Sequence, residues 1–118
     1  MAHTRDDAVA IARGFLRAAA RRHGGIRRAF LFGSSVWGEP TTYSDIDLAV
    51  VLESSSEEEG SPFGKGFALF HEAQEYNSAL EVVCLSREEF EDDTYALVRR
   101  IKRDGVELPI SEDATRPA

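Results

Sequence analysis

Five residues of the chain have the types and spacing that phosphate chemistry needs: Gly33, Ser34, Asp45, Asp47 and Glu81. Asp45 and Asp47 lie two apart at the head of an apolar run ending at Leu52. As a strand, this run points Asp45, Asp47, Ala49 and Val51 one way and Ile46, Leu48, Val50 and Leu52 the other. Both carboxylates then share a face and repel each other, which a fold tolerates beside a cation or basic partners. Hard divalent ions such as Mg²⁺ are held by one or two carboxylates together with substrate phosphates. Taken alone, Asp-x-Asp is a common pattern. The bland reading is an Asx turn at Ser44-Asp45 followed by one exposed aspartate.

Gly33-Ser34 adds weight to the first reading. A glycine directly after the apolar run Ala29–Phe32 lets the backbone turn sharply and lets a phosphate approach without a Cβ in the way. A helix starting at Ser34 would offer free N–H groups and a partial positive charge to an anion. Ser34 can donate to a phosphate oxygen, or serve as an ordinary N-cap, or do both. No Gly-Lys-Ser/Thr follows, so this is not a Walker loop. Glu81 is the only charge between Leu80 and Leu85, in an otherwise apolar strand. A lone buried carboxylate is costly unless paired or bound to metal. If this strand lies beside the second one, Glu81 faces the aspartates; the alternative is a charge at a sheet edge reaching water.

The elements that must position these residues follow from periodicity and punctuation. Residues 4–23 read as a helix with Val9, Ala12, Phe15, Leu16 and Ala19 on one stripe. Thr4 is its candidate cap, and Gly24-Gly25 ends it. Gly14, inside it, suits a close crossing with another element. Strands are expected at 26–32, 45–52 and 79–85, with a short helix from Ser34 to about Trp37 that Gly38-Glu39-Pro40 stops. Residues 53–66 read as a solvated connector or a lid. A second main helix, 67–77, has Phe67, Phe70, Ala73 and Gln74 as its stripe. Ser86-Arg87-Glu88-Glu89 is a capping box. A helix over 95–103 and a short edge strand over 106–108 complete one domain spanning 1–108. A polar tail, 109–118, frays.

At 118 residues and 42% hydrophobic, the chain suits one folded domain with a modest core. No apolar run reaches membrane-span length, and the N-terminus shows no signal-peptide core. The single cysteine, Cys84, excludes an internal disulfide and reads as packed core. A cytoplasmic address is the default expectation. The formal net charge of −7 argues against a grip on long nucleic acid. Local basic clusters at 21–22, 27–28 and 99–103 are either solvated helix faces or a partner surface.

Gly33-Ser34, ten residues, then Asp45-x-Asp47 resembles the signature of the minimal nucleotidyltransferases, in the DNA polymerase β-like superfamily. Leu31-Phe32 before it and Ile46-Asp47-Leu48-Ala49-Val50 after it look like the family's flanks. Leu80-Glu81-Val82-Val83 is similar, more loosely, to the segment carrying the family's third acid, although Glu replaces the commoner Asp. Ile101 to Val106 is similar to the closing helix. The resemblance implies an α+β fold: a small mixed β-sheet with helices packed mainly on one face, the polymerase β-like palm.

It also implies a Mg²⁺-dependent transfer of a nucleoside monophosphate, AMP from ATP, to a hydroxyl. Asp45, Asp47 and Glu81 would hold two ions, and Gly33 and Ser34 would bind the triphosphate. The chain is long enough for the catalytic palm and little else, so another chain is expected to supply the acceptor. Minimal nucleotidyltransferases are often paired with a HEPN-domain toxin and act as its antitoxin by modifying a tyrosine. Two rivals stand beside this: an aminoglycoside-type small-molecule transferase, and an antitoxin that works by contact alone. Trp37 can stack on a base or sit in a core or interface.

Overall fold

A computed structural model describes residues 5–23, 25–33, 46–53 and 65–110. The elements run α1 (Arg5–Arg22), β1 (Ile26–Phe32), β2 (Ile46–Leu52), α2 (Lys65–Tyr76), β3 (Leu80–Ser86), α3 (Arg87–Phe90), α4 (Ala96–Asp104) and β4 (Val106–Leu108). The four strands form one sheet in the order β3-β2-β1-β4. β1 is antiparallel to both β2 and β4, whereas β2 and β3 are parallel. The parallel pair needs a crossover, and α2 supplies it.

Helices cover the sheet unevenly. The two longest, α1 and α2, lie on one face. There Ala12, Phe15, Leu16, Leu69 and Ala73 pack against Leu31, Ile46, Leu48, Val50 and Leu80. The other face carries Phe30, Ala49, Val51 and Leu85 beneath Phe90 of α3 and Val98 and Ile101 of α4. With cover on both sides, β2 is buried at every position except Asp47. The expected alternation in β2 therefore separates two cores rather than core from solvent.

The stripe expected in α1 is present: Ala12, Phe15, Leu16 and Ala19 are buried, and Val9 packs against them. Gly14 marks a close approach, since the Tyr76 hydroxyl occupies the space a Cβ would take. Tyr76 also meets Phe15 edge-on at 6.0 Å between centroids. The stripe expected in α2 needs correction. Phe70 is 41% exposed, and Leu69 is fully buried in its place. Ala73 is buried as expected, and Phe70 falls one residue step, about 100°, outside the face that Leu69 and Ala73 share. Gln74 is not part of that apolar stripe; its amide donates to the Leu80 carbonyl. Leu69→Ala is expected to cost about 2–5 kcal/mol, and Phe70→Ala under about 1 kcal/mol, by urea denaturation.

The capping box forms as read: the Ser86 hydroxyl accepts from Glu89 N–H at 3.0 Å, and Glu89 accepts from Ser86 N–H at 2.9 Å. Cys84 packs beside the α1–α2 core. Burial pushes its thiol up to about 12. A thiol-specific disulfide reagent at pH 8 is therefore expected to leave it unmodified in the folded protein and to react with it promptly in denaturant. Beyond β4, Ile110 packs against the same core. No helix among the described residues is long and apolar enough to cross a membrane.

Candidate active site

The site lies at the end of the sheet where β1 finishes and β2 and β3 begin. In the sheet register Phe32 pairs with Asp47, and Asp47 pairs with Glu81. Residues paired in adjacent strands present their side chains on the same face, with backbones about 4.8 Å apart. Phe32, Asp47 and Glu81 thus form one row across three strands. The next row on this face, Phe30, Ala49 and Val83, is apolar and belongs to the second core. The row of acids sits where that core stops.

Gly33 closes this corner. Its φ of +83° lies in the left-handed region that glycine adopts without penalty. A Cβ here would collide with Asp47 Oδ2 and come within 3.1 Å of Asp47 Cγ. Glycine is therefore required twice, by backbone conformation and by the carboxylate lying over it.

The register of Glu81 is set by a turn. Asn77 Oδ1 accepts from Ala79 N–H at 2.9 Å, and the Asn77 carbonyl accepts from Leu80 N–H at 2.9 Å. Ile46 N–H then donates to the Ala79 carbonyl at 2.7 Å, tying β2 to the start of β3. The Gln74 amide on the Leu80 carbonyl adds a further tie. Asn77, which the sequence did not single out, and Gln74, expected in the apolar stripe of α2, are both positioning residues. The signal for Asn77 was there, an Asn two residues before a strand, which suits an Asx turn.

Glu81 corrects one expectation. It is exposed, and β3 is an edge strand, so this carboxylate reaches water rather than lying buried. Its solvation needs no compensating charge, and the burial argument for its role lapses. The register argument stands, because Asp47 is its direct neighbour. Ser34, Asp45, Trp37 and the short helix expected at 34–37 lie outside the described residues.

Asp47 and Glu81 offer only hard oxygen donors, side by side, which is the donor chemistry Mg²⁺ prefers. Among the described residues no group of three His, Cys, Asp or Glu side chains is gathered closely enough to hold a metal ion. Asp47 and Glu81 are two of the three acids expected at this site; the third, Asp45, is outside the described residues.

The described residues thus form a mixed sheet with two acids at one end and a left-handed glycine beside them. Residues 12–113 match the family model described as the nucleotidyltransferase domain, and the chain belongs to that family. The fold is also similar to the crystal structure of a Sulfolobus solfataricus protein assigned as a nucleotidyltransferase. The TM-score is 0.58 at 17% identity, over 87% of this chain and 80% of that one. No curated protein sequence matches the chain. By family, the protein is a nucleotidyltransferase.

Proposed function

We propose that the protein transfers AMP from ATP, with Mg²⁺, to a tyrosine hydroxyl of a HEPN-type toxin partner, and so acts as its antitoxin. The observation that supports the chemistry is the Asp47–Glu81 register beside Gly33 at φ +83°. The resemblance of Gly33-Ser34 and Asp45-x-Asp47 to the minimal nucleotidyltransferases supports the choice of nucleotide and acceptor.

In this reading the acceptor oxygen attacks the α-phosphorus of ATP. A new oxygen–phosphorus bond forms, the bond to the α–β bridging oxygen breaks, and pyrophosphate leaves with that electron pair. Asp45, Asp47 and Glu81 would hold the divalent ions, which would supply neutralisation of phosphate charge and a lower pKa for the attacking hydroxyl. Gly33 and Ser34 seat the triphosphate, and the absence of a Cβ at Gly33 leaves room for the Asp47 carboxylate beside it. Glu81, at the solvent edge, accepts the proton of the attacking hydroxyl. Little covalent chemistry falls to the protein, and alignment with charge stabilisation does most of the work.

The test uses ATP labelled at the α-phosphate, with Mg²⁺, the full chain, and the product of the neighbouring gene. Label on a tyrosine of that protein is the expected result. Label on an aminoglycoside instead would assign the chain to small-molecule modification. A tight complex with no label on either would mean neutralisation by contact alone.

A further inference from the structure

An apolar strip leads away from the acids along the edge strand β3. Glu81, Val83 and Leu85 alternate onto one face, the face that Asp47 and Phe32 share through the sheet register. A strand rises about 3.3 Å per residue, so Leu85 lies about 13 Å beyond Glu81. Phe32, Val83 and Leu97 are half-buried against the second core. Past Val83 is a groove of about 400 Å³ lined by Leu85, Glu89, Tyr95, Ala96, Leu97 and Val98. Leu85 follows Val83 on β3, and Leu97 packs on the same core as Val83, so both join the strip to the groove.

We infer that this groove seats an apolar side chain of the acceptor polypeptide, four residues from the hydroxyl that is modified. The inference rests on the proposed AMP transfer to a tyrosine. In-line displacement puts the attacking oxygen opposite the leaving pyrophosphate. With the triphosphate at Gly33, where β1 ends, the acceptor enters from the opposite side of the acids, over β3. On that side Val83 comes first and the groove next. An extended segment of four residues spans the same distance of about 13 Å, and residues four apart in it share a face. A hydroxyl at Glu81 therefore carries its fourth neighbour to Leu85.

The lining selects the chemistry of that side chain. Glu89 is its one charge, and the Glu89 carboxylate accepts from Ser86 N–H at 2.9 Å, which holds it in place. The other five residues offer aliphatic groups and the Tyr95 ring. A leucine side chain suits such a slot, whereas a carboxylate would lose its water and meet Glu89. An amino sugar, polar over its whole surface, would leave the slot unfilled, so the groove favours a polypeptide acceptor over a drug of that kind.

The test offers the full chain blocked peptides as acceptors, Tyr-Ser-Gly-Ser-Leu and the reverse order Leu-Ser-Gly-Ser-Tyr, with Ser or Asp replacing Leu as controls. Transfer from α-labelled ATP and binding by fluorescence anisotropy of dye-tagged peptides are both measured. In at least one order, the Leu peptide should exceed the Ser peptide by about tenfold or more in kcat/KM, and the Asp peptide should be poorest. Ala96→Trp fills the slot from an exposed position and should bring the Leu peptide down to the Ser level. Ala96→Arg should place Asp above Leu, a reversal that unfolding cannot produce. Equal transfer to all three peptides overturns the groove and leaves AMP transfer standing. A Leu preference that survives both variants overturns it too, by placing the apolar contact elsewhere. Leu-selective binding that Ala96→Trp removes, without label on any peptide, supports the groove as a polypeptide site and ends the tyrosine reading. Neither label nor Leu-selective binding overturns the inference outright.

Discussion

Asp47→Asn is expected to abolish nucleotidyl transfer while leaving the fold in place. The change preserves shape and volume, so the β1 and β2 pairing around Phe32 and the apolar row beneath have no reason to move. It also removes one of two like charges held side by side by the Asp47–Glu81 register, and such neighbours oppose each other by a few tenths of a kcal/mol to about 1 kcal/mol. The melting temperature should therefore stay within about 2 °C of wild type. Activity is another matter. An amide is a weak ligand for Mg²⁺, and losing several kcal/mol of charge stabilisation lowers kcat by about 1,000-fold or more. Glu81→Gln should fall less, because its exposed position lets water replace it. The measurement is α-phosphate label transfer at saturating ATP, across a Mg²⁺ titration, beside thermal unfolding of the same preparations. Turnover near wild type by folded Asp47→Asn would remove the carboxylate from the chemistry.

The parts of this fold that were legible in the sequence are those with a local physical cause. β2 could be read because strict alternation separates Asp47, Ala49 and Val51 from Ile46, Leu48 and Val50, and the two sets do face different cores. The Ser86 capping box could be read because both of its hydrogen bonds close within four residues. Gly33 could be read because a turn after a strand with a phosphate in mind asks for a residue free at positive φ. What failed depended on tertiary placement. Glu81 looked buried because its neighbours in sequence are apolar, and nothing local reveals that β3 is an edge strand. Phe70 looked like core because it is large, whereas the direction of α2 over the sheet is set by Leu69 and Ala73. The antiparallel return of β4 along β1 was likewise invisible, since pairing partners far apart in sequence leave no periodic trace.

Gly33→Ala is expected to lose both stability and activity, and a second glycine separates the two effects. At φ +83° an alanine carries a steric penalty of about 1–2 kcal/mol against its preceding and following peptides. Its Cβ would also lie where Asp47 Oδ2 now sits, and 3.3 Å from Asp47 Cβ, so the carboxylate must swing away from its place beside Glu81. Gly25 has a similar φ, +88°, at the far end of β1, where its carbonyl accepts from Glu53 N–H. Gly25→Ala should therefore lower the melting temperature by a comparable amount, about 3–8 °C. It should leave label transfer close to wild type once the folded fraction is matched. Gly33→Ala should reduce transfer by at least about 100-fold at matched folded fraction, because a carboxylate displaced by even about 1 Å no longer meets its ligand. If the two variants lost activity in equal measure, the loss would belong to β1 stability, and the close approach of Asp47 to Gly33 would carry no catalytic consequence. If only Gly33→Ala lost activity, the space left by the missing Cβ is there to seat the carboxylate, and the glycine serves the site through Asp47 as well as through the turn.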